Sequence, residues 1–306
     1  MTAPVARDAA RPAGFVPVRP RDLLEFAKPV TWFPPMWAYL CGAVASGQAT
    51  AAGWPKLLLG VVLAGPLVCG TSQMINDWCD RHVDAINEPH RVIPSGRIPG
   101  RWGLWLAWVA ATISLLVSAL LGPVGFAATG IALVLAWMYS ARPFRLKENG
   151  WWGNLACGAS YEGLAWVTGA AVAVGGALPA TGSLLLALCF SVGAHGIMTL
   201  NDFKALDGDR VAGVGSLPVR LGPARAARVA CGTMLVAQLA ALVLVASWGR
   251  PWHTAVYGLL IAMQVPLMQT LLRDPKGRAP WYNQTGVMLF VLGMLLSAFA
   301  AAGVTA

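Results

Sequence analysis

Nine apolar stretches run along the chain, at roughly 30–47, 57–76, 102–121, 124–140, 151–175, 182–200, 226–248, 253–272 and 281–303. A helix needs ~20 apolar residues to cross the ~30 Å hydrocarbon core of a bilayer. Inside that core each backbone N–H and C=O must be satisfied within the segment, which leaves helices or a closed barrel. Stretches of this length predict an all-α polytopic membrane protein with about nine transmembrane helices. The composition agrees: of 306 residues 57% are hydrophobic and only 11% charged.

The chain carries 22 Lys and Arg against 13 Asp and Glu, a formal net charge of +9. Such a balance taken alone suggests a nucleic-acid partner, but the placement of the charges excludes it. With the N-terminus in the cytoplasm, 20 of the 22 basic residues fall on cytoplasmic segments, and only Lys56 and Arg250 lie outside. Positive charge retained on the inner side accounts for the excess and sets the orientation. Residues 1–28 are rich in Arg and Pro and have no apolar run before Val30 that resembles a cleavable signal. They are expected to form a flexible cytoplasmic N-terminal tail, ahead of a single transmembrane domain over 29–306 with acidic cytoplasmic loops at 76–101 and 201–225. The six cysteines (41, 69, 79, 157, 189 and 231) are scattered without a CxxC pair, which argues against a disulfide framework or a zinc site.

Acidic residues are costly in a membrane protein, so their position is informative. Seven of the 13 occupy two short windows, Asp77, Asp80, Asp84 and Glu88 in the first and Asp202, Asp207 and Asp209 in the second. Both windows open with Asn-Asp-aromatic, as Asn76-Asp77-Trp78 and Asn201-Asp202-Phe203, and each follows an apolar stretch on the same membrane face. This reads as a weak internal repeat in which each half gives one acidic loop to a shared site. If the second helix continues past Asn76, residues 76, 77, 80 and 84 share a face about 100° wide. If the second window is also helical, Asp202 and Asp209 lie within about 20° of each other. Carboxylates without His or Cys beside them suit a hard cation, and magnesium completes its shell with water and phosphate oxygens. Arg81, Arg91, Arg97, Lys204, Arg210 and Arg220 lie in the same loops, and Arg142, Arg145 and Lys147 in a third. Carboxylate, metal and cation together describe a site for a diphosphate.

The run from Asn76 to Asp84 resembles the NDxxDxxxD signature of the UbiA-type intramembrane prenyltransferases. Its continuation, Asn87-Glu88-Pro89 with Arg91 and Ile93-Pro94-Ser95-Gly96, is similar to the chlorophyll and bacteriochlorophyll synthase branch of that superfamily. The second loop from Asn201 to Arg210, followed by Gly213 and Ser216-Leu217-Pro218-Val219, is similar to that branch's second motif. Further matches are Tyr139-Ser140-Ala141 through Lys147, Asn149-Gly150-Trp151, Gly153-Asn154, and the lead-in His195-Gly196-Ile197-Met198-Thr199-Leu200, which leans toward photosynthetic bacteria.

The resemblance covers nearly all of the chain after Val30. It implies a bundle around a central cavity, with an isoprenoid diphosphate and a tetrapyrrole carboxylate as substrates. It implies two magnesium ions, one held by Asn76, Asp80 and Asp84 with support from Asp77, and one held by Asp202 and Asp209. Arg81, Arg91, Lys147, Lys204 and Arg210 are then the candidate diphosphate contacts. The implied setting is a bacterial inner or intracytoplasmic photosynthetic membrane, with the active-site loops on the cytoplasmic face. In one respect the chain departs from the superfamily: the DxxxD of the second loop has Ala205 where its first Asp stands, and Asp202 is expected to take over.

Two other residues stand out. Glu162 is the one acid well inside an apolar stretch, which suits either an acceptor contact or a neutral hydrogen-bonded core carboxyl. His195 suits either an acceptor contact, through the central metal of a tetrapyrrole, or a core histidine. Gly158, Gly163 and Gly169 are expected to permit close helix approach. A transporter would place its carboxylates in broken helices at mid-bilayer, and the DGxxAR signature of the CDP-alcohol phosphatidyltransferases is absent. Spacing alone leaves three readings open: a chlorophyllide-specific enzyme, a quinone or haem O prenyltransferase, and a non-catalytic pigment-binding protein.

Overall fold

The computed structural model describes residues 18–50 and 53–305, so the first 17 residues of the predicted tail lie outside it. Apart from one isolated bridge between Asn149 and Gly215, the regular structure of the described residues is helical. In chain order the helices are α1 (Pro20–Ala27), α2 (Phe33–Ala45), α3 (Trp54–Asn87), α4 (Trp102–Leu120), α5 (Pro123–Ser140), α6 (residues 150–173) and α7 (Thr181–Asp202). The second half continues with α8 (Leu206–Ala212), α9 (Leu217–Leu221), α10 (Pro223–Ser247), α11 (Pro251–Arg273), α12 (Pro275–Gln284) and α13 (Gly286–Thr305).

Local chemistry sets many of these boundaries. Proline opens α1, α5, α10, α11 and α12, where its missing N–H would have no partner within the helix. Gly122 and Gly222 precede two of these prolines at φ 106° and 78°, a left-handed region that favours glycine. Asn149 caps α6 by accepting from the N–H groups of Trp151 and Trp152.

All nine apolar stretches are helical, and among the described residues seven helical runs are long and apolar enough to cross a membrane. These are α3, α4, α5, α7, α10, α11 and the run Pro275–Val304. The two remaining stretches differ for physical reasons. Helix α2 has 13 residues, or ~20 Å at ~1.5 Å per residue, short of the full core thickness. Helix α6 is long enough but less apolar, with Asn154, Ser160, Tyr161 and Glu162 along it, the last three in a wider π-helical turn at Ala159–Leu164. A second such turn, Leu63–Cys69, widens α3 around Pro66, which cannot donate to the helical ladder.

Helix α7 is the most buried of the seven, and α4 and α11 the least. The main core joins both halves through Trp166, Phe190 and Phe290: Trp166 and Phe190 lie 5.4 Å apart, and Phe290 meets Phe190 edge-on at 5.6 Å. Side chains are absent where backbones meet. A Cβ on Gly42 would strike the carbonyl of Trp166, and one on Gly169 would strike that of Tyr39, so α2 and α6 pack backbone to backbone. Gly158 and Gly163 likewise face Ser191 of α7, as their sequence predicts.

Candidate active site

The first acidic motif lies on the last turns of α3, which does continue past Asn76 to Asn87. Asp77 and Asp84 are buried, and each is met by a cation from elsewhere in the chain. Asp77 accepts from Lys28 Nζ at 2.6 Å and from Arg91 at 3.3 Å, and the same Arg91 nitrogen donates to Asp84 at 2.9 Å. The Nε of Arg91 is taken by Glu88. Asp80 is bonded by Arg145 at 3.2 Å and by Lys147, both from the segment between α5 and α6. Three carboxylates are therefore interleaved with four cations in a half-buried layer, where attraction is stronger than in water. Helix α1 covers this layer: Phe26 packs with Val92 and Ile98, and Arg97 bonds Asp22 at 2.9 Å, Glu25 at 2.6 Å and the carbonyl of His90 at 2.8 Å. Those hydrogen bonds hold the Glu25 carboxyl below the usual carboxylate range.

Directly beneath Asn76 a cavity of about 210 Å³ opens between α3, α5, α6 and α7. Its polar end has Ser72, Gln73, Asn76, Tyr139, Cys157 and Tyr161, and its deeper wall has Leu63, Ala64, Val68, Ala128, Ala132, Leu135 and Leu164. Both π-helical turns line it, which is where such turns concentrate in functional proteins. Gln73 donates to the Tyr161 hydroxyl at 3.0 Å, and Asn76 contacts the Ser140 hydroxyl at 3.4 Å. The shape is a slot with a polar mouth and an apolar depth.

The second motif begins one turn beyond Met198 of the cavity wall. Asp202 ends α7 and accepts from Asn154 at 3.0 Å, one turn from Cys157 in the cavity wall. The chain then breaks in a turn at 203–205, so the expected common helical face of Asp202 and Asp209 does not form. Asp209 is half-buried on α8, and burial raises its carboxyl above the usual range. Asp207 is exposed and paired with Lys276 at 2.8 Å, which lowers it.

Residues 35–293 match the UbiA prenyltransferase family. The chain belongs to that family. It is 57% identical to the bacteriochlorophyll synthase 33 kDa chain of Cereibacter sphaeroides over 93% of this chain and 94% of that relative. It is 39% identical to the chloroplastic chlorophyll synthase of Oryza sativa subsp. japonica, over 90% of this chain and 76% of that relative. Among solved structures, a UbiA homologue from Archaeoglobus fulgidus bound to GPP and Mg2+ has a TM-score of 0.71 at 19% identity, covering 93% of this chain and 100% of that one. At that identity the likeness carries the fold.

In this UbiA-family chain the sequence-predicted residues divide into those brought together and those left apart. Asn76 lines the cavity, Asp77 and Asp84 share Arg91, and Asp80, one turn beyond Asn76, is paired with Lys147. Arg81 is turned away, stacked 4.1 Å over the ring of Trp78 and donating to that residue's carbonyl. Lys204 and Arg210 are exposed and form no ion pair among the described residues. Glu162 is buried in the α6 π-helical turn but is not part of the cavity wall. His195 is buried with its Nδ1 unpartnered, and its ring lies 5.6 Å from that of Trp151. The sequence reading missed Lys28, which it counted only as a tail charge, and the Gln73–Tyr161 pair. The signal for Lys28 is its place as the last cation before the first apolar stretch.

Proposed function

We propose that this chain transfers a geranylgeranyl or phytyl group from its diphosphate to the propionate carboxylate of bacteriochlorophyllide a. One observation carries the reaction class: a cavity bordered by Asn76 of the first acidic motif runs into an apolar interior. Such a slot suits a substrate with an anionic head and a hydrocarbon tail. The acceptor is inferred from the 57% identity to a bacteriochlorophyll synthase along 93% of the chain.

The donor set fits magnesium. It is made of oxygens only, and among the described residues no three His, Cys, Asp or Glu side chains converge as a ready-made cage. Magnesium suits such a set, because it takes one or two carboxylates and fills its shell with water and substrate phosphate. Asn76, Asp80 and Asp84 would hold one ion, supported by Asp77, and Asp202 and Asp209 a second. When bound, these ions neutralise the charge of the departing diphosphate.

The chain's own residues supply the rest. Arg91 and Lys147, already paired with Asp84 and Asp80 of the first motif, are the cations for the diphosphate oxygens, while Arg81, Lys204 and Arg210 must reorient to reach it. The apolar wall keeps water from the allylic carbon, and the Tyr139 and Tyr161 rings border the place where positive charge develops there. The allylic C–O bond to diphosphate breaks, a carboxylate oxygen of the acceptor forms the ester bond, and diphosphate leaves. A propionate of pKa ~4–5 is already ionised at neutral pH, so the step needs no general base. Glu162 and His195 are the residues nearest this reading without a contact to the cavity, and their proposed place is on the acceptor side.

The proposed topology has nine crossings, a cytoplasmic N-terminus and both acidic loops on the cytoplasmic face of a bacterial inner or intracytoplasmic photosynthetic membrane. The test is to incubate membranes containing the protein with geranylgeranyl diphosphate, magnesium and either bacteriochlorophyllide a or chlorophyllide a, then separate the pigments. A new apolar ester from the first acceptor, abolished by EDTA, is expected. Ester from chlorophyllide alone would move the activity to the sister reaction, and ester from neither would overturn the proposal.

A further inference from the structure

A polar contact from outside both acidic motifs reaches the second one. Asn283, near the end of α12, donates its Nδ2 hydrogen to Oδ1 of Asn201 at 2.9 Å. The two residues are 82 apart in sequence. The same helix also reaches the loop at its exposed edge through the Lys276–Asp207 pair.

Two features fix the orientation of Asn283. First, α12 is drawn onto the core by Ala279 and Tyr282, both fully buried. Second, the break at Thr285 between α12 and α13 is tied to two other helices by a relay of buried amides. Gln238 of α10 donates to Gln264 of α11 at 2.7 Å, and Gln264 donates to the carbonyl of Gly286 at 2.8 Å. Both glutamines are fully buried, where an unmade amide hydrogen bond is costly, so the relay holds the backbone three residues beyond Asn283.

A role for the Asn283 contact follows from what Asn201 precedes. Its neighbour Asp202 is held from the opposite side by Asn154, which also bonds Thr199 at 3.2 Å. The Asn201–Asp202 pair is thus clamped between α6 and α12. An amide suits the α12 side of the clamp: it donates to a carbonyl oxygen without adding charge, whereas a carboxylate there would set acceptor against acceptor.

We propose that Asn283 is a positioning residue for the second acidic motif, orienting Asn201 and through it Asp202 toward the magnesium-bound diphosphate without touching substrate itself. This rests on the reading of Asp202 as a magnesium ligand. A residue bonded directly to a metal ligand is worth about 10–100-fold in metal affinity or activity, and Asn283, which acts through the residue beside the ligand, belongs at the lower end.

The test uses the full chain in detergent micelles. For wild type, Asn283→Ala and Asn283→Asp, titration calorimetry measures binding of geranylgeranyl diphosphate at a series of magnesium concentrations, and steady-state assays measure ester formation. Both variants should raise the half-saturating magnesium concentration and the donor Kd about tenfold. The KM for the tetrapyrrole and the melting temperature should stay near wild type. Asn201→Ala should give the same loss, and the Asn201→Ala, Asn283→Ala double variant no more than either alone. Should the alanine variant fail to fold, Asn283→Ser, which keeps a short donor, should fold and show a smaller shift in the same direction. Wild-type magnesium and donor binding in any folded variant would overturn the proposal, as would a loss of melting temperature with unchanged magnesium dependence. A wild-type protein that makes no ester would instead strike at the functional reading.

Discussion

The ammonium of Lys28 stands 2.6 Å from a carboxylate oxygen of Asp77, 49 residues away, at the point where α1 hands over to the bundle. Lys28 adopts a left-handed backbone at φ 48° to make the turn, and Asp77 is almost fully buried. The pair therefore joins the helix lying over the site to the first residue of the acidic run. Arg91 shares the same oxygen at 3.3 Å, so Asp77 keeps one partner when Lys28 is lost.

Lys28→Ala should accordingly destabilise the protein by about 1–2 kcal/mol, below the ~3–5 kcal/mol of a fully broken buried pair. Unfolding of micelle-solubilised protein measures this directly. The Lys28→Ala, Asp77→Asn cycle should return most of that energy as coupling. Additive losses would mean that the two charges do not sense each other.

Asp80 is the carboxylate of the layer bound by two cations from another loop, Arg145 and Lys147. Asp80→Ala should leave the protein folded in the membrane while ester formation falls by at least ~10²-fold, the scale of losing one preorganised electrostatic group. Pigment chromatography reads the activity, and the melting temperature reads the fold. Turnover retained at saturating magnesium would remove Asp80 from the metal site.

The parts legible in the sequence are those written in local pattern. Residues 76–87, expected in a loop, continue helix α3 and so meet the condition under which Asn76, Asp77, Asp80 and Asp84 share a face, because nothing in that stretch breaks a helix. The break after Asp202 was legible only in part, through Gly208, which disfavours one continuous helix across the second window. No proline or glycine marks 203–205, and the turn is closed by backbone bonds from Lys204 to Asn201 and from Ala205 to Asp202. Pro66 flags the widened turn of α3, but no residue flags the one at Ala159–Leu164 as clearly. Contacts such as Lys28–Asp77 and Asn283–Asn201 join distant segments, and a single sequence has no periodicity that records them.

The hold of α1 on the site should weaken in acid. Arg97 grips Glu25 with two hydrogen bonds of 2.6 Å and keeps its carboxyl below the usual range. A depressed carboxyl contributes stability that is fully present above its unfolded pKa of ~4.3 and is lost as pH falls through the lower folded value. Melting temperatures of wild type and Glu25→Gln should therefore differ at neutral pH and converge below about pH 4. A gap of constant size down to pH ~3 would show that the contact is not electrostatic.

The cavity should act as a ruler for the donor. Ala132 lies on the same helix as Tyr139, two turns deeper, or ~10 Å further from the mouth. The wall there is built of small residues, Ala128, Thr129 and Ala132, in a space of about 210 Å³. Ala132→Phe places a ring in that space, where the cavity absorbs the ~1–3 kcal/mol that overpacking would otherwise cost. A terminal isoprene unit excluded by the ring forfeits ~0.8 kcal/mol for each carbon left unburied, so losing two carbons alone costs roughly tenfold. The ratio of kcat/KM for geranylgeranyl over geranyl diphosphate should therefore fall by about tenfold or more, with geranyl transfer nearly unchanged. A ratio that stays at the wild-type value would mean that the tail lies elsewhere, and the lipid-facing grooves between the helices would become the place to look for it.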